Sequence, residues 1–464
     1  MFSKRGRDVP DDPNKRLRAN ISDLFLANHV SAERAQSLAQ DAVDAGASQM
    51  ADLARAGNAG ASKKNVHRDL LRACLKGNGW PRLYWADVRV GCSSSAESKL
   101  VRLPFLLPHE LVHEVGRRSI REALLSECNM SAQTRQRLQR AKQELGCEEL
   151  LGVGMWADGI PCNWDRSKSL EALVLSLPGV GDSSHSARMP MFAILKHHTV
   201  RDDTYHDVMN VLSWSLRALA TGRFPSKRHD STPFESTDSK RSKVGGLEMS
   251  MKAALVEFRG DWACYKQLLK FPQHNERAGC CWRCDITPDR LHEVGEDAPW
   301  RAAPLSHWGL WARWAEKGIT PSPIFSAPCV RSDTMVLDWL HIADLGVTSD
   351  FAGNLFAMTV RRYPGHTQEE RCKQLYADLV MYYQREKTTS RLDTLTPTMI
   401  QASASASPKL RAKAAEARLL VPFLVEHAEK MLGDSEFDQT VKRAARELST
   451  SYSCLSKEEF LLWH

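Results

Sequence analysis

The spacing of the apolar residues changes at about residue 150. Before it they recur at helical intervals: Leu24, Ala27 and Val30, then Ala35, Leu38 and Ala42 within 21–56. Helical spacing returns over 65–76. It returns again over 108–145, where Leu111, Val112, Val115, Ile120, Leu124 and Leu125 precede the charged run QTRQRLQRAKQELG. AGNAGASKKN (56–65) reads as a linker, GNGWPRLYWADVRV as aromatic and irregular, and SSSAES as a further break. After 150 the apolar runs are short. ELLGVGMWADGIPC, LEALVLSLPG and RMPMFAILKHHTV predict three strands. YHDVMNVLSWSLRALATG then predicts a helix with Val208, Val211, Leu212, Leu216 and Leu219 on one face and Gly222 as its C-cap. Beyond a polar tract at 225–246, MKAALVEFRGD predicts a fourth strand.

The order β-β-β-α-β is the start of a ribonuclease-H-like domain: a meander, a crossover helix, and a fourth strand parallel to the first. The predicted class is therefore α/β with α+β insertions, a mixed sheet preceded by a helical region. The chain divides into a disordered basic tail (1–20), a helical N-terminal region (21–148) and the first part of the core (149–265). A helical insertion (266–405) and C-terminal helices that complete the core (406–464) follow. In such a sheet the first and fourth strands are neighbours. Asp158 ends the first and Asp261 follows the fourth, so their carboxylates should lie roughly 4–6 Å apart. Two carboxylates that close repel each other unless a cation sits between them. Either acid alone could equally be a turn residue, since Asp158-Gly159 is a common turn pair.

Composition narrows the setting. The net charge of +7 fits a polyanionic partner. No apolar run reaches the roughly 18–20 residues of a membrane span, and the charged start, MFSKRGRDVPDDPNKRLR, lacks the apolar stretch of a secretory signal. Its KRGR and NKRLR clusters suit nuclear import or a phosphate backbone. Twelve cysteines over 464 residues read as reduced thiols, with one candidate metal site, rather than as a disulfide scaffold.

That site begins at ERAGCCWRCD, where Cys281-x-x-Cys284 stands about twenty residues after Asp261. Some fifty residues later VLDWLHIADLG carries Asp338-x-x-His341. Two such pairs suit a tetrahedral Zn²⁺ site, with Cys280 or Cys329 as alternative ligands to the carboxylate. A redox pair fits less well, because no thioredoxin-like βαβ unit surrounds the motif.

Taken in order, the strand-end Asp158, the Arg-Gly-Asp ending at Asp261, Cys281-x-x-Cys284, Asp338-x-x-His341 and KAAEARLLVP resemble the CACTA group of eukaryotic DNA transposases. The resemblance covers about residues 150–430. It implies a ribonuclease-H-like core with an Asp-Asp-Glu triad, here Asp158, Asp261 and Glu416, holding two Mg²⁺ or Mn²⁺ ions. It also implies a Zn²⁺-binding insertion using Cys281, Cys284, Asp338 and His341. The expected activity is cleavage and rejoining of DNA phosphodiesters by a homo-oligomer in the nucleus. Arg259, Lys266, Lys270 and Arg277 are candidates to hold DNA phosphates, and Trp156, Trp164 and Trp282 to stack on bases. DWAC stands where relatives carry Pro and Ala after the second acid, and 1–150 show no Cys/His finger. The chain also ends soon after the Glu416 helix. These departures keep a second expectation open: a truncated or domesticated, catalytically inactive descendant that binds DNA or protein.

Overall fold

The computed structural model describes residues 12–457 apart from 27–28, 59–64, 76–80, 93–94, 119–120, 164–166, 181–187, 201, 274–275, 278 and 303. Trp164 and most of the basic start therefore lie outside the described residues. Seven strands are described: β1 (Tyr84–Cys92), β2 (Ser95–Phe105), β3 (Leu150–Pro161), β4 (Ser169–Ser176), β5 (Arg188–Leu195), β6 (Lys252–Gly260) and β7 (Met335–Leu337).

Five of them form one mixed sheet in the order β5-β4-β3-β6-β7. β3, β4 and β5 are antiparallel neighbours, whereas β6 runs parallel to β3, and β7 parallel to β6. The expected meander, crossover helix and parallel fourth strand are all present. Leu150–Met155 are buried without interruption, as expected of a strand covered on both faces. One cover is the crossover helix Asp203–Thr221, buried on nearly every side and ended by Gly222 in the left-handed region (φ 70°). A Cβ there would also come within 2.6 Å of the Lys252 side chain. The other cover is the helix Ala132–Leu145, started by Ser131 and stopped by left-handed Gly146. Its Leu138 and Ala141 pack with Leu150, Ala254 and Val256.

Three sequence-based expectations need correction. Residues 21–148 are not wholly helical, because β1 and β2 form an antiparallel hairpin. Tyr84, Ala86, Val88 and Val90 alternate inward and join the sheet's core, where Tyr84 stacks on Trp214 of the crossover helix (5.4 Å). Arg89 ties the hairpin to that helix through Asp207 (2.6 Å) and Asp203 (2.8 Å). The span 1–20 is not all tail: Pro13–Leu26 is a helix, and Arg18 in the second basic cluster pairs with Asp52. Finally, the span 266–405 contains β7, the sheet's fifth strand.

The C-terminal helices pack differently from expectation. Leu420, Phe423 and Leu424 of the helix Ala414–Met431 are buried with Leu355, Phe356, Leu379 and Tyr383, in a second core separate from that of the sheet. Its link to the sheet is a wide, π-type helix, Leu340–Thr348, which leaves the end of β7 and packs on Ala414–Met431. There Asp344, fully buried, binds Arg418 (2.5 Å) and the Tyr452 hydroxyl (2.6 Å). No helix among the described residues is long and apolar enough to cross a membrane.

Candidate active site

The ladder registers define the site. Trp156 of β3 pairs with Arg259 of β6, and Gly260 of β6 with Leu337 of β7. Two steps beyond the first pair stand Asp158 and Asp261. One step beyond the second stand Asp261 and Asp338. Equal steps keep side chains on the same face, and neighbouring strands lie about 4.8 Å apart. Three acids therefore stand at one level, just past the last pairs of β3 with β6 and of β6 with β7. Asp261 and Asp338 follow the ends of β6 and β7, whereas Asp158, expected to end its strand, lies within β3, which runs on beside β4 to Pro161. Tyr265 fixes that level: its hydroxyl donates to the Phe258 carbonyl (2.6 Å) and lies against that of Val336, which ties β6 to β7.

Each acid has a distinct environment. Asp158 is half-buried, and its carboxyl is pushed above the usual range. Burial is the main cause, Asp261 and Asp338 add to it, and His341 opposes it. Asp261 is the N-cap of the helix Trp262–Leu269 and accepts from the Cys264 N–H (2.5 Å). Asp338 bonds His341 Nδ1. Burial, the largest single influence, would raise Asp338, but the His341 bond and charge together with the Leu340 and His341 N–H groups outweigh it and the net shift is downward. His341 is raised chiefly by that bond, with Asp338, Asp261 and Asp158 all favouring its charged form. The four side chains thus act as one electrostatic group. Among the described residues, no Lys or Arg pairs with Asp158 or Asp261.

Glu416 behaves otherwise. It sits in the first turn of its helix, where one oxygen accepts from the Lys413 N–H (2.8 Å) and the other faces Lys413 Nζ (3.2 Å). The expected third member of the triad is committed to a capping box. Asp338 stands where the sequence reading sought a third acid. The missed signal was Met335-Val336-Leu337, a run too short to announce itself as a strand but ending, like the other two, at an acid.

The expected four-residue Zn²⁺ set is not gathered either. Cys281 and Cys284 are adjacent, with Arg283 N–H donating to Cys281 Sγ (3.2 Å); burial, reinforced by Cys281, raises the Cys284 thiol. Cys280 and Cys284 pack with Ile286, while Cys329 lies in another cluster with Met130 and Leu138. Asp338 and His341 belong to the acid group instead. The cysteine loop is anchored by Trp282, which is buried against Phe271 (5.0 Å), Trp262 (4.9 Å) and Tyr265 (5.4 Å). That burial removes Trp282 as a base-stacking candidate. Among the described residues, no three or more His, Cys, Asp or Glu side chains are disposed to hold a metal ion.

The basic candidates are mostly paired. Arg259 binds the buried Glu257 (2.8 Å), Lys266 faces Glu276 (3.4 Å), and Lys270 pairs with Asp202. Arg277 is exposed. Trp156 carries Arg188 over its ring at 4.7 Å. No protein-family model matches the chain, and a search of curated proteins returns no match.

Proposed function

We propose that the chain has a ribonuclease-H-like core of the DDE type. In this reading it is a metal-dependent polynucleotidyl transferase, a transposase or nuclease that cuts and rejoins DNA phosphodiesters. The observation that supports it best is the register: Asp158, Asp261 and Asp338 stand at one level on three adjacent parallel strands of a β5-β4-β3-β6-β7 sheet, just past the pairs that join those strands, with His341 beside them. An oxygen-rich donor set of this kind suits Mg²⁺ or Mn²⁺. A pair of such ions supplies activation of the attacking hydroxyl and charge neutralisation at the leaving oxygen. Asp158 and Asp261 would hold them. Asp261 would have to turn from its helix cap to do so. His341, held by Asp338, is placed to hold a proton or a phosphate oxygen beside the pair. The two adjacent thiols, Cys281 and Cys284, are the residues to hold Zn²⁺. Nuclear localisation and homo-oligomeric assembly belong to the same reading.

A second reading has its own support. Glu416, spent on a helix cap, favours a catalytically inactive descendant that binds DNA or protein through the same fold. One assay separates the two. Purified protein is incubated with Mn²⁺ and supercoiled DNA beside an Asp158→Ala, Asp261→Ala double variant. Nicking by the wild type alone supports the enzyme; equal nicking, or none from either, favours the inactive descendant.

A further inference from the structure

The helix that Asp261 caps has a second face. It lines a cleft of about 970 Å³, near the upper end of the roughly 300–1,000 Å³ typical of ligand clefts. Lys266 comes from that helix and Lys270 from its C-cap, Asp202 and Asp203 from the start of the crossover helix, and Arg313 and Lys317 from the segment 307–320. The buried side chains of Phe271, Leu310 and Trp314 underlie it. Five cations (Arg89, Lys266, Lys270, Arg313 and Lys317) line it against three acids (Asp202, Asp203 and Glu276).

Glu276 is the unusual member. One of its oxygens faces Lys266 Nζ at 3.4 Å, and the other faces Lys317 Nζ at 3.7 Å. The Gln273 N–H donates to it as well, at 2.9 Å. Lysines from two separate elements thus converge on one carboxylate, together with a backbone N–H. Lysine ammonium groups and backbone N–H donors are what hold a phosphodiester oxygen in a nucleic-acid complex. Burial would raise the carboxyl, but the Gln273 and Lys266 bonds and the Lys266 and Lys317 charges together hold it below its usual range.

We propose that this cleft is a track for a single nucleic-acid strand, in which the Glu276 carboxylate takes a phosphate's place and keeps the track shut until a backbone phosphate displaces it. The proposal rests on the polynucleotide reading above, and it adds a place for the strand and a built-in competitor for that place. A carboxylate that must be displaced lowers affinity without altering the track. Its removal should therefore tighten binding only while the two lysines remain.

Anisotropy of a fluorescent oligothymidylate, measured in EDTA with the full chain, tests this apart from catalysis. Glu276→Gln should tighten binding several-fold. The Lys266→Ala, Lys317→Ala double variant should weaken it and make the slope of log K against log salt shallower by about 1.4, at about 0.7 per lost phosphate contact on a single strand. Adding Glu276→Gln to that double variant should yield no gain. Unchanged or weaker binding by a Glu276→Gln protein that melts like wild type would overturn the proposal. So would a gain that persists without the lysines, or competition by polyglutamate as strong as by unlabelled oligothymidylate. Should Glu276→Gln melt lower, the salt slope of the double variant decides alone, and an unchanged slope overturns the track. Tight, Glu276-sensitive binding with no Mn²⁺-dependent nicking would leave the track standing and remove the enzyme.

Discussion

The open end of the sheet and the second helical core treat acidic side chains in opposite ways. In the helical core, Asp344 has no exposure, yet Arg418 and Tyr452 meet its oxygens, and Glu416 is satisfied by Lys413. At the sheet's end, Asp158, Asp261 and Asp338 stand in register with His341 as the cationic neighbour among them. A carboxylate matched by its own cation is ordinary architecture, because unmatched buried charge costs stability. Carboxylates that the fold crowds together around one histidine, with no Lys or Arg of their own, are what a candidate functional centre looks like. Glu416 falls on the architectural side of that line; Asp338, whose partner His341 also faces Asp158 and Asp261, falls with the crowded group.

The contrast can be broken in several ways. The largest effect should come from Asp158→Asn, which should reduce Mn²⁺-dependent nicking by more than about 10²-fold, beyond what loss of an outer-shell partner costs. Its thermal midpoint should stay level or rise, because the substitution relieves burial and repulsion of a charge. A fall in both activity and midpoint would put Asp158 with the architectural acids. Asp344→Asn should do the reverse. Chemical denaturation should show a loss of about 3 kcal/mol, the low end for a broken buried pair because Arg418 is one-third exposed.

Acid should loosen both regions by a shared route. Burial pushes His109, in the sheet's core, down to about 3, and His427, in the helical core, down to about 4. Each is neutral when folded and takes up a proton when unfolded below about 6.5. Stability should therefore fall as pH drops from 6.5 towards those values, by about 1.4 kcal/mol per pH unit per histidine. His109→Asn should remove one such contribution, read as a shallower pH slope in urea melts. A slope equal to wild type would mean that His109 is protonated in the fold.

The smallest effect should come at Glu416. If it is only a cap, Glu416→Ala should cost about 1 kcal/mol, Glu416→Gln almost nothing, and both should nick DNA as wild type does. Loss of nicking in the glutamine variant would return Glu416 to the catalytic group.

Much of the sheet was legible because strong local signals agreed with its topology. Three short apolar runs, an amphipathic helix closed by Gly222 and one further run fix the order of five elements. From that order the closeness of Asp158 and Asp261 follows. The hairpin β1–β2 was hidden by its composition: Tyr84, Ala86, Val88 and Val90 alternate as a strand should, but Trp80, Pro81 and the serines at 93–95 mask the alternation. β7 was invisible for a different reason. Three residues cannot display a period, and the pairing that makes them a strand comes from β6, more than seventy residues away. Spacing alone paired Asp338-x-x-His341 with the cysteines. The ladder register, which sequence does not carry, pairs it with the acids.

The wide helix that leaves β7 has a mechanical consequence. Each of its turns holds about one residue more than an α-turn, so its phase is set by count as well as by direction. Deleting one residue between Ile342 and Thr348 would rotate everything downstream by about 80°, swing Arg418 and Tyr452 out of line with Asp344, and leave the acids on the sheet untouched. The two cores are geared together through the number of residues in that short connector, and a protein with the gear slipped would carry an intact site on a misaligned partner.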